Sequence, residues 1–111
     1  MIEDKGIDQM RIAVATMKPE VDAPVAEHAA RAPYYLLFDK QGEFLKAVPN
    51  PFAEVDRGAA PKAARLLAGK GASVLAAGDF GPRFVAELEE RGIDPVRRTG
   101  QVSDIVRQLI A

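Results

Sequence analysis

Residues able to do chemistry are concentrated in two short segments. One is Glu27-His28-Ala29-Ala30-Arg31-Ala32-Pro33-Tyr34-Tyr35 and the other is Gly78-Asp79-Phe80-Gly81-Pro82-Arg83. His28 is the only histidine. A neutral imidazole is a good ligand for iron and other transition metals, but a single one does not build a stable metal site. In the second segment Gly78 and Gly81 permit close backbone approach. Pro82 opens a helix whose free N–H groups and positive dipole end suit an anion, with Arg31 and Arg83 adding charge. The plain alternative is that Gly-x-x-Gly-Pro only turns a strand into a helix, and that a lone histidine only decorates the surface.

Other chemistries find no footing. The chain of 111 residues has no cysteine, which excludes disulfides, thiolate zinc sites, cysteine nucleophiles and self-sufficient cysteine-ligated iron–sulfur centres. The only serines are Ser73 and Ser103, neither with an implied histidine partner. Fifteen Lys and Arg against sixteen Asp and Glu give a net charge of -1, so no general basic field exists to hold nucleic acid. Hydrophobic and charged fractions of 48% and 28% are those of an ordinary globular domain. Met1 to Met10 has no apolar core like a signal peptide's, and no apolar run approaches the roughly 20 residues that span a bilayer. These features point to a soluble cytoplasmic protein without membrane contact.

The elements that must position the two segments follow from periodicity and punctuation. Residues 1–10 read as a flexible leader, and a single domain occupies 11–111. Arg11 to Met17 is a short apolar strand, and Lys18 to Pro33 is a long loop with one helical turn expected near Val25 to Ala30. Tyr34 to Asp39 and Glu43 to Val48 flank a turn at Lys40-Gln41-Gly42 and make an antiparallel hairpin. A second loop, Asn50 to Gly58, leads to a helix ending at Gly69 to Gly71, and Ser73 to Ala77 is a buried strand. A helix from Pro82 to Gly92 turns Phe84, Val85 and Leu88 inward; Ile93 to Arg97 is a last strand. Val102, Ile105, Val106, Leu109 and Ile110 stripe a terminal helix.

The order is β-β-β-α-β-α-β-α: a ribonuclease-H-like α/β domain whose five-stranded mixed sheet, in order 3-2-1-4-5, is flanked by helices. Both segments then leave the carboxyl ends of parallel strands, where open α/β sheets take their ligands. A two-metal nuclease of this topology would place an aspartate on the first strand, and Ile12 to Met17 has no carboxylate.

The motifs resemble those of the dinitrogenase iron–molybdenum cofactor biosynthesis family, the NifX and NafY type. His28 to Tyr35 is similar to its pattern H-F-G-R-A-P-Y-F, and Gly78 to Arg83 to its glycine motif. Gly92-Ile93-Asp94-Pro95-Val96 resembles its G-I-x-V strand entry, and Gly100 to Asp104 its final helix start, G-T-V-x-E. The matches run in order over Arg11 to Ala111. The resemblance implies a ribonuclease-H-like fold and a non-enzymatic carrier that binds the iron–molybdenum cofactor, or its iron–sulfur precursor, transiently. None would be expected in the purified protein. It makes His28 the candidate metal ligand, and Arg31, Gly78, Asp79, Phe80, Gly81 and Arg83 candidate cofactor-binding residues. Partners would be cofactor-donating and cofactor-accepting proteins, and the chain a monomer or weak homodimer. Ala29, Ala30 and Asp79 depart from the pattern and motivate the alternative, an interaction or regulatory module of the same fold without cluster binding.

Overall fold

The computed structural model describes residues 10–110, so the leader expected over 1–10 lies, apart from Met10, outside the described residues. Five strands and three helices follow in the expected order: β1 Arg11–Thr16, β2 Tyr34–Asp39, β3 Phe44–Pro49, α1 Ala59–Gly69, β4 Ala72–Ala77, α2 Pro82–Glu90, β5 Asp94–Arg97 and α3 Val102–Ile110. The sheet order is β3-β2-β1-β4-β5. β2 is antiparallel to both β1 and β3, while β4 is parallel to β1 and β5.

Alternation along β1 sorts the two cores. Ile12 and Val14 face α3 with Leu36, Phe38, Val102, Ile105 and Val106. Ala13 and Ala15 face the opposite layer with Tyr35, Leu37, Leu67, Leu75, Phe84 and Leu88. Successive residues of a strand point to opposite sides, so a strand covered on both faces reads as a continuous apolar run. Ala13, Ala15 and Ala77 of the sheet share this layer with Ala63 and Ala64 of α1. At the far end of α3 the expected stripe thins: Leu109 is only partly covered and Ile110 is 38% exposed. The end of the helix lies over the β2–β3 turn, where a Cβ at Gly42 would meet Ile110 Cδ1 at 2.7 Å. Among the described residues no helix is long and apolar enough to cross a membrane.

The helical turn expected near Val25 to Ala30 does not form. Residues 21–29 run instead as a strap, turned at 21–22 and held by isolated bridges at Pro24, Val25 and His28, across the carboxyl ends of β1 and β4. Ala26 N–H donates to Ala15 O (2.7 Å), and Gly78 N–H and Asp79 N–H donate to Ala26 O (2.9 Å) and Glu27 O (2.7 Å). On the other flank Val25 N–H reaches Gly100 O (2.9 Å), while Val102 N–H and Ser103 N–H donate to Ala23 O and Val21 O (both 3.0 Å). The strap therefore joins the β4–α2 turn to the start of α3 and caps that helix with its own carbonyls.

Gly78 lies directly beneath the crossing. A Cβ there would sit 2.9 Å from the Glu27 Cα and 3.5 Å from the carbonyl oxygens of Ala26 and Glu27. Because the obstacle is backbone, Gly78→Ala should displace the strap and cost about 1–3 kcal/mol, as overpacking does. Denaturant unfolding checks this, and a neutral substitution would mean that the strap is loosely seated.

Candidate functional site

The strap brings the two sequence segments together. His28 and Asp79 form a parallel bridge, and Ala29 N–H donates to Asp79 O at 3.2 Å. Beyond it, the chain from Ala29 to Tyr35 is held by a buried polar pair. The Tyr35 hydroxyl donates to Ala29 O at 2.7 Å. The Asn50 Nδ2 donates to Ala30 O, Ala32 O and the Tyr35 hydroxyl at 3.1, 2.9 and 3.3 Å. Its Oδ1 accepts Phe52 N–H at 3.0 Å. Asn50 thereby ties the His28 loop to the loop entering α1, and no buried side-chain polar atom among the described residues is left without a partner.

Each residue singled out in the sequence has a definite place. The His28 side chain is exposed on the strap. The Arg31 guanidinium donates through Nη1 to Ala53 O (3.2 Å) and Val55 O (2.7 Å). Gly78 is the crossing point. Asp79 does not present a free carboxylate: its Oδ1 accepts Phe80 N–H at 2.9 Å and faces Arg97 Nε at 3.2 Å. Phe80 is buried and stacks on Phe84 with ring centroids 6.2 Å apart, so it supports the turn from within the core. Gly81 is the N-cap of α2, and Arg83 is exposed in its first turn.

Three of these residues, Arg31, Gly81 and Arg83, line a cleft of about 490 Å³ between the start of α1 and the start of α2. Ala30, Arg57, Gly58 and Pro61 are also in its wall, together with Asp56. His28 is two residues along the strap from Ala30. Sequence reading missed Arg57 and Gly58, whose loop carries no motif, and Arg97, which meets Asp79 only because β5 pairs with β4. It also missed the Tyr35–Asn50 pair; a tyrosine in a buried strand beside an asparagine between prolines was the available signal.

The cleft is electropositive by construction. Both helices opening on it have glycine N-caps, neither has a side-chain cap, and neither has an acidic residue in its first turn. Gly58 is left-handed (φ 76°), a conformation that aims the α1 terminus without strain only in glycine. In α2 the usual charge preference is reversed, with Arg83 in the first turn and Glu87, Glu89 and Glu90 towards the end. α3, which does not open on the cleft, follows the preference with Asp104 first and Arg107 last. Among the described residues Arg57 and Arg83 have no ion pair, whereas Arg91, Arg97 and Arg107 each pair with a carboxylate. Uncapped helix N-termini beside arginines are the chemical features that suit an anion, with Asp56 the one carboxylate among the lining residues. Three-ligand metal binding has no counterpart: among the described residues no group of three His, Cys, Asp or Glu could hold an ion.

Comparison with known proteins identifies the family and the fold. The family model described as dinitrogenase iron-molybdenum cofactor matches residues 10–111. The apo form of the orange protein from Desulfovibrio gigas is 27% identical, with a TM-score of 0.82 over 92% of this chain and 88% of that one. A putative NifB protein from Thermotoga is 25% identical, with a TM-score of 0.75 over 89% of this chain and 85% of that one. No curated protein matches.

Two outcomes are expected. Gly81 has extended backbone (φ -69°, ψ 152°) and open space at its Cβ position. Gly81→Asp should therefore cap α2 and raise stability by about 0.5–1 kcal/mol in a thermal melt; a loss would show that the helix start is already satisfied. Burial holds the Tyr35 hydroxyl pKa well above its ordinary range. Above pH about 10 the unfolded chain ionises at this position while the folded one does not, so stability falls as pH rises. Tyr35→Phe should flatten that alkaline decline while costing about 1–2 kcal/mol at neutral pH; an unchanged alkaline slope would contradict this.

Proposed function

The chain belongs to the dinitrogenase iron–molybdenum cofactor family, and from that premise we propose that it is a non-enzymatic carrier of an anionic metal–sulfur cofactor. The cargo is the iron–molybdenum cofactor or its iron–sulfur precursor, bound transiently. The observation that carries the reading is the cleft itself, where Arg31 and Arg83 converge with two helix starts that lack side-chain caps and acidic first turns.

The residues divide the work by chemistry. Arg31, Arg83 and the N-termini of α1 and α2 attract and orient negative charge. His28, exposed on the strap two residues before Ala30 and not itself lining the cleft, supplies one nitrogen ligand. A carrier has to release what it holds. One imidazole with hydrogen bonds and charge favours release, and a cluster that brings its own sulfides does not need cysteine. Two of the three departures from the family pattern, Ala29 and Asp79, weigh little against cargo binding, while the third, Ala30, lines the cleft. Ala29 is buried, so a larger residue there would fill core rather than wall a ligand site, and the Asp79 charge is offset by Arg97.

Donor and acceptor proteins in the cytoplasm would be the partners. A monomer is favoured because the edge strand β3 is interrupted by a register shift against Leu37 and Phe38 and carries Lys46 and Pro49, features that discourage edge pairing.

An anaerobic titration with an iron–sulfur cofactor precursor, followed by absorbance, tests the reading. Wild type should bind saturably, and His28→Ala should weaken binding by well over tenfold with its melting temperature nearly unchanged. Equal binding by the mutant would remove His28 from the site. Failure of wild type to bind would replace the carrier by an interaction module of the same fold.

A further inference from the structure

We propose that Arg57, on a loop latched by Arg31, is a third cargo-binding cation, and that loading closes this loop over the cleft. The inference rests on the carrier reading above and adds to it a residue and a motion. Residues 50–58 connect β3 to α1 and form one wall of the cleft through Asp56, Arg57 and Gly58. Their own backbone holds them weakly: the internal bonds Ala53 N–H to Asn50 O and Val55 N–H to Phe52 O are both 3.4 Å long. The firm attachments are side chains. Asn50 fixes the start, Lys62 lies 5.9 Å over the Phe52 ring, and Arg31 binds the carbonyls of Ala53 and Val55. At the other end Gly58, with φ 76°, is a joint at the helix start.

Arg31 uses only Nη1 for both carbonyls. A guanidinium has five N–H donors in a rigid fork, so Nε and Nη2 remain to serve an anion in the cleft while Nη1 keeps the loop. A bound anion then orients Arg31, Arg31 orders residues 53–55, and the ordered loop presents Arg57 to the same anion. Arg57 is exposed and has no ion pair among the described residues, although Asp56 also lines the cleft. It is thus available as a gripping charge. Occupancy of the cleft becomes visible on the protein surface, because Pro51, Ala53 and Glu54 of the same loop line a neighbouring hollow with Pro33 and Tyr34.

The test uses the full chain with tetrathiomolybdate as an anionic metal–sulfur probe. Affinity is read by absorbance titration, and loop order by amide hydrogen exchange over residues 53–58. In wild type, saturating probe should slow exchange there severalfold. Arg57→Gln should weaken binding by about tenfold, roughly one lost charged contact. Arg31→Gln should also weaken binding and abolish the exchange protection at saturating probe. Arg65→Gln, on α1 away from the cleft, should change neither. Melting curves confirm that each variant is folded. If wild type binds but Arg57→Gln binds equally, or if loading leaves loop exchange unchanged, this inference fails while the carrier reading stands. If wild type does not bind, both fail.

Discussion

The close crossing of the strap over Gly78 is the constraint on which the rest of the structure depends. With no side chain at that position, the Glu27 backbone seats directly on the end of β4, and four backbone hydrogen bonds fasten the strap to β1 and to the β4–α2 turn. This seating fixes where His28 stands, delivers Ala30 and Arg31 to the cleft wall and covers the start of α3. Val102 N–H and Ser103 N–H are taken up by strap carbonyls, while the first turns of α1 and α2 line the cleft. The start of α3 is thus covered by the strap, whereas those of α1 and α2 lack side-chain caps.

The open termini run against the usual rules of helix stability. Caps and first-turn carboxylates each contribute on the order of a kcal/mol or less, and their absence at two neighbouring helices is a local inconsistency of the kind that accumulates at functional sites. The fold compensates elsewhere. The sheet is covered on both faces, and the buried Tyr35–Asn50 pair locks two loops that hydrophobic packing alone would leave loose. The pair anchors the start of the loop entering α1, while the rest of that loop is held by long backbone bonds and by Arg31.

Much of this was legible in the sequence. The strands β1, β2 and β4 are apolar runs bounded by glycine and proline, and α2 and α3 announce themselves through Pro82 and a stripe from Val102. Sheet order followed from the switch between hairpin and alternating halves. The helical turn expected at Val25 to Ala30 was misread because short alanine-rich segments favour helix locally, whereas here backbone pairing with β1, β4 and Gly100 wins. Arg57 and Arg97 were invisible because their importance comes from neighbours distant in sequence. The role of Arg31 was half legible: its charge was evident, its hold on Ala53 and Val55 was not. Phe80 sits in the right motif but points into the core, since no periodicity distinguishes a turn residue facing a ligand from one facing inward.

The central claim is that an anionic metal–sulfur species occupies the cleft between the starts of α1 and α2. The most direct measurement is a backbone amide NMR titration of the nitrogen-15-labelled protein with tetrathiomolybdate. The account predicts saturable shifts concentrated at Ala30, Arg31, Arg57 to Ala60 and Gly81 to Phe84. Shifts confined to Arg97 to Gln101 or to β3, or no saturable shifts at all, would contradict it.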